Sequence, residues 1–134
     1  MLALIDTRPL ALVVGDHDDT REMMTLYLRS NGIRVLGLPP DNANLAAATS
    51  QPFDIIAADV GRSASTVLNF CASVRTYEAL AAIPIVAITS HTDERFAIAA
   101  KRANCAAVLM KPCAPAVLLA AIYSVLNLTP HVRG

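Results

Sequence analysis

In the stretch P-F-D-I-I-A-A-D, residues 52–59, a short apolar run ends directly at a carboxylate. Apolar residues at consecutive positions are typical of a strand that is buried on both faces. A similar run, L-A-L-V-V at 10–14, ends just before Gly15 and Asp16, and another, I-P-I-V-A-I at 83–88, ends at Thr89. The sequence therefore predicts several fully buried strands, each with polar residues at its carboxyl end.

Apolar runs and helical patterns alternate along the whole chain. We predict strands at 10–14, 33–38, 53–58, 83–88 and 106–110. The first helix is expected to be capped by Asp18 or Asp19, a later one to cover about 65–80, and the next to be capped by Asp93, with Asn104 left-handed at its end. Strands that alternate with helices predict an α/β fold in which a mostly parallel sheet is covered on both sides.

Composition limits the class of protein. The 134 residues are 54% hydrophobic and 16% charged, which predicts a single domain over 1–134 with its core at about 9–128. Eleven basic residues balance eleven acidic ones, which disfavours direct nucleic-acid binding. The apolar stretches are too short for a membrane span. Three cysteines without a C-x-x-C pair are typical of reduced thiols, so we expect a cytoplasmic protein.

Four chemically active side chains follow strand ends. Asp16, Asp59, Thr89 and Lys111 should meet where the carboxyl ends of parallel strands form one edge of the sheet. Two carboxylates alone would repel a phosphate, so phosphoryl chemistry here requires a hard divalent cation such as Mg²⁺. The lysine and the hydroxyl would stabilise phosphoryl oxygens, and Asp59 is the best candidate for a nucleophile that forms an acyl phosphate.

The chain resembles the receiver domains of two-component response regulators from about residue 9 to residue 126. The resemblance rests on the order and spacing of V-V-G-D-H-D-D-T-R-E at 13–22, P-F-D-I-I-A-A-D at 52–59, I-P-I-V-A-I-T-S at 83–90, A-N-C-A-A-V-L at 103–109 and K-P at 111–112. It implies a flavodoxin-like, doubly wound sheet of five parallel strands in the order 2-1-3-4-5, with five helices.

The resemblance also assigns roles to the candidate residues. Asp59 matches the phosphoacceptor, Thr89 the switch hydroxyl and Lys111 the lysine of the family. Asp16 matches the second residue of its acid pair, and the backbone carbonyl of Gly61 matches a metal ligand. The implied function is to accept a phosphoryl group on Asp59 from a sensor histidine kinase or a histidine phosphotransfer protein, with Mg²⁺ held by Asp16, Asp59 and the Gly61 carbonyl. Such a domain is a signalling module and not an enzyme.

Three departures from the family pattern motivate an alternative to this leading interpretation. Gly15 replaces the first residue of the acid pair, Val108 stands at the aromatic switch position, and the loop at 60–65 reads V-G-R-S-A-S. Metal affinity should be weakened. The alternative is a phosphorylation-independent pseudo-receiver that acts as an interaction module. A flavin- or nucleotide-binding enzyme fits less well, because the acidic loop after the first strand lacks a Gly/Ser/Thr-rich phosphate cradle.

The remaining candidates carry weaker signals. No partner at ligand spacing supports His17 as a metal ligand, and we expect His17, His91 and His131 to be exposed. By analogy with the family, exposed apolar residues of the fourth helix such as Phe96 and Ile98 would support a homodimer through the fourth helix, fifth strand and fifth helix.

Overall fold

The computed structural model describes residues 6–128. Within this range the strands are β1 (Leu10–Gly15), β2 (Arg34–Leu38), β3 (Ile55–Asp59), β4 (Ile85–Thr89) and β5 (Ala107–Met110). The α-helices in the same range are α1 (Asp18–Ser30), α2 (Leu45–Ala48), α3 (Ala64–Val74), α4 (Glu94–Arg102) and α5 (Pro115–Val125), and short 3-10 turns lie at Asn42–Asn44 and Glu78–Leu80.

The strands form one parallel sheet in the order β2-β1-β3-β4-β5. The predicted fold class and strand order are therefore confirmed. The register pairs Gly15 with Asp59, and the residue before Thr89 also pairs with Asp59. Because parallel neighbours end at the same edge, this register brings the polar residues that follow β1, β3 and β4 together.

Helices cover both faces of the sheet, as the continuous apolar runs require. Every residue of β1, β3 and β4 is buried, whereas β2 and β5 at the two edges are partly exposed. Leu12 and Ile56 pack on the side of α3, and their neighbours Val13 and Ile55 pack on the side of α1 and α5. This alternation follows from the strand period of two.

Several predicted helix ends are confirmed. The Asp93 carboxylate accepts a hydrogen bond from the backbone N–H of Phe96 at 3.0 Å and so caps α4. Asn104 adopts the left-handed conformation after α4, with φ of +54°, and Pro115 opens α5. Gly32 has φ of +85°, a conformation that favours glycine, where the chain turns after α1.

The cap predicted for α1 is wrong. His17, and neither Asp18 nor Asp19, is the capping residue, because its extended backbone lets the ring Nδ1 accept from the Thr20 backbone N–H at 3.2 Å. The two aspartates lie instead in the first turn, where negative charge opposes the positive end of the helix dipole.

The predicted end of α3 is also wrong, since the helix stops at Val74 and not near residue 80. Arg75 turns back at this point and donates hydrogen bonds to the carbonyls of Ile83 and Ala103, which ties the end of α3 to the chain before β4 and after α4. The buried Leu80 belongs to a separate 3-10 turn. Because its side chain is apolar, it makes the helical pattern of α3 look longer in the sequence than the helix is.

No helix between residues 6 and 128 is both long enough and apolar enough to cross a membrane. His131 lies outside the described residues, so its predicted exposure stays a prediction.

Candidate functional site

The centre of the site is an ion pair between Asp59 and Lys111. Asp59 ends the central strand β3 and is only 3% exposed. The Lys111 Nζ lies 2.7 Å from the Asp59 Oδ1 and also donates a hydrogen bond to the Val60 carbonyl at 3.3 Å. A buried carboxylate is costly unless it is paired, so this lysine provides the countercharge that Asp59 needs.

The paired oxygen keeps capacity for another ligand. Although Lys111 is close by distance, the Asp59 Oδ1 makes no hydrogen bond of acceptable geometry within residues 6–128. A carboxylate oxygen can accept more than one interaction. The Asp59 Oδ1 is thus a buried anionic oxygen whose ion pair with Lys111 leaves room for a second interaction, which suits a site that receives a cation or an electrophilic phosphorus atom.

The position of Lys111 follows from the sheet. Its backbone N–H donates to the Thr89 carbonyl at 2.8 Å, which continues the pairing of β5 with β4 by one residue. The next peptide bond, Lys111–Pro112, is cis. The hydrogen bond to Thr89 anchors the lysine at the carboxyl end of β4, and its side chain reaches across β4 to Asp59 at the end of β3.

Thr89 is fully buried at the end of β4. Its Oγ1 accepts a hydrogen bond from the backbone N–H of His91 at 2.9 Å. Within residues 6–128 this hydroxyl donates no hydrogen bond of its own, so its hydrogen is available to a ligand. The switch hydroxyl expected at this position thus has its donor function free.

Asp16 and Gly61 face each other across the edge of the sheet. Asp16 is exposed just after β1, and its Oδ2 would lie 3.3 Å from a Cβ built on Gly61. A Cβ built on Gly15 would lie 3.1 Å from the Asp59 Cβ and 3.4 Å from the Asp59 Oδ2. The two glycines therefore leave space that side chains would fill next to both acids.

The oxygen atoms at this edge of the sheet are of the types that bind Mg²⁺. Carboxylates and backbone carbonyls are the ligands that hard divalent cations prefer, and Mg²⁺ keeps several waters in its shell. Asp59 and Asp16 supply two carboxylates and Gly61 a carbonyl. No cluster of three or more His, Cys, Asp or Glu side chains that could hold a metal occurs in the part of the chain that the structure describes. A metal at this edge would depend on the Gly61 carbonyl and on water.

His91 is a site residue that the sequence analysis missed. It was expected to be exposed, but it is partly buried, and its ring Nε2 lies 2.7 Å from the Gly61 carbonyl oxygen. The ring also stacks on Phe96, with centroids 6.0 Å apart and planes 19° from parallel. Its partner is a backbone oxygen 30 positions away along the chain, which no residue pattern reveals.

The exposure predicted for Phe96 is wrong. Phe96 is 5% exposed and packs in a cluster with Val60, Leu68, Ala87 and Ala100, because its side of α4 faces β3, β4 and α3. Ile98, two residues later, lies on the other side of α4 and is exposed as predicted.

Comparison with known proteins agrees with the residue-level resemblance. The family model described as the response regulator receiver domain matches residues 11–123. The chemotaxis protein CheY4 of Vibrio cholerae is similar in structure, with a TM-score of 0.78 and 28% identity over 89% of this chain and 99% of that one. A response regulator from Chloroflexus aurantiacus gives 0.75 and 26% over 90% and 99% of the two chains.

A longer relative is also similar. The transcriptional regulatory protein GltR of Pseudomonas aeruginosa is 26% identical over 125 residues, which are 92% of this chain. The chain spans 52% of the length of that relative.

Proposed function

Since this chain belongs to the response regulator receiver domain family, we propose that it accepts a phosphoryl group on Asp59 in a two-component phosphorelay. Receiver domains interact with histidine kinases or histidine phosphotransfer proteins, and we assign one of these as the phosphodonor. The observation that carries the proposal is the Lys111 Nζ, which lies 2.7 Å from the buried Asp59 Oδ1 at the carboxyl edge of the sheet.

In the proposed transfer, an Asp59 carboxylate oxygen forms a bond to phosphorus as the bond from phosphorus to the donor histidine nitrogen breaks. The electron pair of the broken bond returns to the imidazole of the donor. Lys111 offsets negative charge on the phosphoryl oxygens, and the free hydroxyl hydrogen of Thr89 donates to one of them. The chain acts on its own carboxylate, so it serves as a phosphoacceptor and at most assists its own phosphorylation and dephosphorylation.

We assign the Mg²⁺ ligands as the carboxylates of Asp16 and Asp59 and the backbone carbonyl of Gly61. When bound, Mg²⁺ neutralises charge between the acids and the incoming phosphoryl group. The proximity of Asp16 to Gly61 supports this assignment. Because position 15 is a glycine, one of the two carboxylates of the family's acid pair is missing. The affinity for Mg²⁺ should therefore be lower than in a receiver that has both members of the pair.

The face of α1 next to the site is suited to a phosphodonor. The helix starts two residues after Asp16 and exposes Met23 and Leu26, which are 43% and 55% accessible. Exposed apolar side chains on a helix commonly pack against a partner helix. We assign this face to the kinase or phosphotransfer protein, which brings its phosphohistidine close to Asp59.

The location we propose is the cytoplasm. Cys71, Cys105 and Cys113 are free thiols, and burial raises the pKa of each of them, which disfavours the reactive thiolate. Unreactive, unpaired thiols are typical of a reducing compartment.

A second copy of the chain is proposed to cover the surface formed by α4, β5 and α5. Ile98, Val108, Met110 and Val117 on these elements are each more than 40% exposed. Edge strand β5 carries two of them, and an exposed apolar edge favours association. We expect Met110→Lys to reduce self-association in sedimentation velocity experiments, whereas Met23→Lys on α1 should not. A monomeric parent at high concentration would contradict the pairing.

Radiolabelled acetyl phosphate tests the proposed function. With Mg²⁺ present, the parent protein should acquire label and Asp59→Asn should not. Asp19→Asn is the matched control, because it removes an exposed carboxylate of the first turn of α1 and should leave the labelling unchanged. Equal labelling of Asp59→Asn would refute Asp59 as the acceptor, and an unlabelled parent would favour the pseudo-receiver.

A further inference from the structure

We infer that His91 competes with Mg²⁺ for the carbonyl oxygen of Gly61, so that the chain itself holds the loop after β3 until a metal binds. The inference rests on the proposed magnesium site and adds a residue that regulates access to it.

In the hydrogen bond between His91 and Gly61, the donor can only be the histidine ring. A carbonyl oxygen can accept a hydrogen bond but cannot donate one, so the ring Nε2, 2.7 Å away, must carry the hydrogen. His91 therefore points the positive end of an N–H dipole at an oxygen that is assigned to the metal. The short distance is that of a well-formed hydrogen bond.

The ring is held in this place from two other directions. The His91 backbone N–H donates to the Thr89 Oγ1 at 2.9 Å, which fixes the main chain at the end of β4. On its face the ring stacks on Phe96, which is itself buried against Val60. The contact with Gly61 thus belongs to a packed arrangement that links the loop after β3 to α4.

Mg²⁺ cannot readily share this oxygen with the ring. The ion binds oxygen ligands at about 2.0–2.1 Å and keeps several waters in octahedral geometry. At that distance the ion would stand next to the ring hydrogen and would repel the partial positive charge that this hydrogen carries. A carbonyl oxygen has two lone pairs, so the competition comes from this repulsion and from crowding by the hydrated ion. Binding at Gly61 should therefore weaken or break the His91 hydrogen bond, and this loss lowers the affinity for the metal.

Two substitutions at position 91 separate the hydrogen bond from the packing. His91→Phe keeps an aromatic ring next to Phe96 but removes the N–H donor. His91→Gln keeps an N–H donor at about the reach of Nε2. We would measure the Mg²⁺ dissociation constant of the parent and both variants by isothermal titration calorimetry at one fixed pH, and hydrogen exchange at residues 61–63 without metal.

We expect His91→Phe to bind Mg²⁺ roughly 3- to 10-fold more tightly than the parent, the factor that corresponds to the usual net strength of one hydrogen bond. Its metal-free loop at 61–63 should exchange amide hydrogens faster. His91→Gln should stay within about twofold of the parent in affinity, because it replaces one donor with another.

The outcomes distinguish this inference from the proposed function. If the parent binds Mg²⁺ and His91→Phe binds it equally or more weakly, the competition is refuted while the metal site stands. Unchanged exchange at 61–63 in metal-free His91→Phe would likewise refute the role of His91 in holding the loop. If none of the three proteins binds Mg²⁺, the proposed magnesium site itself fails, and the competition with it.

Discussion

At Gly15 the backbone of β1 passes against the side chain of the proposed phosphoacceptor. A Cβ at this position would come within 3.1 Å of the Asp59 Cβ, closer than ordinary van der Waals contact. Gly15 and Asp59 are paired neighbours on β1 and β3. The strands therefore cannot move apart to make room for a side chain without weakening the hydrogen bonds between them. Any side chain at position 15 therefore crowds Asp59, and a carboxylate there would also repel it when no metal is bound.

We expect Gly15→Asp to lower the free energy of unfolding of the metal-free protein by on the order of 1 kcal/mol. It should also raise the Mg²⁺ affinity and the rate of Asp59 phosphorylation, because it adds a hard oxygen ligand. Magnesium should recover the lost stability by mass action, since the ion binds the folded state. Thermal melts with and without Mg²⁺ measure both effects.

Gly15→Ala is the control for this prediction. It introduces the same Cβ without a charge, so its melting temperature should fall but should respond to Mg²⁺ no more than that of the parent. If Gly15→Asp also shows only the magnesium dependence of the parent, the metal is not bound at this edge of the sheet.

At the level of single elements, the start of α1 depends on His17. The ring Nδ1 accepts from the Thr20 backbone N–H and lies 3.0 Å from the Thr20 hydroxyl. This is the role that Ser, Thr, Asp or Asn usually plays at a helix start, where the first N–H groups lack partners within the helix. Because α1 follows directly after Asp16, its cap also fixes where the loop that carries Asp16 ends.

We expect His17→Ala to lower the free energy of unfolding by about 1 kcal/mol, the usual cost of losing a helix cap. His17→Ser should restore most of the loss, because a serine hydroxyl can accept the same hydrogen bond. Urea denaturation of the three proteins measures the difference. A His17→Ala protein as stable as the parent would show that the cap contributes nothing.

The strands could be predicted from the sequence, but some helix ends and one site contact could not. The runs that end at Asp59 and Thr89 are buried on both faces, and a continuous apolar run reports such burial directly. The cap at His17 uses a residue type outside the common set. His91 contacts a backbone carbonyl, and a carbonyl carries no sequence signal. The strand order came from the family resemblance, since periodicity does not contain it.

For the whole molecule, the buried thiol of Cys71 predicts how stability depends on pH. The pKa of the Cys71 thiol is raised to about 12, chiefly by burial and also by the neighbouring Cys105, while Arg75 opposes the shift. The raised pKa means that the folded protein keeps the proton which the unfolded chain releases above the ordinary value of 9.0. The unfolded state therefore gains from ionisation, and stability is lost as the pH rises from about 9 to about 12.

Between about pH 9 and pH 12, we expect ionisation of Cys71 in the unfolded chain to lower the free energy of unfolding by up to about 1.4 kcal/mol per pH unit. Below pH 9 this thiol should not affect the pH dependence of stability. Cys71→Ala is the comparison, because it removes the titrating group at the centre of the α3 packing. It should be less stable at neutral pH through the lost contacts and should show a shallower alkaline slope. Equal slopes in urea melts of the two proteins would contradict the assigned cause.

In the proposed phosphorelay, a phosphoryl group forms a bond to Asp59 and to no other side chain. Borohydride reduction of an aspartyl phosphate converts that residue to homoserine, which peptide mass spectrometry locates. After incubation with acetyl phosphate and Mg²⁺, the parent protein should contain homoserine at position 59, and a sample without phosphodonor should not. Homoserine at Asp16 or at another acid, or none after prolonged incubation, would contradict the claim.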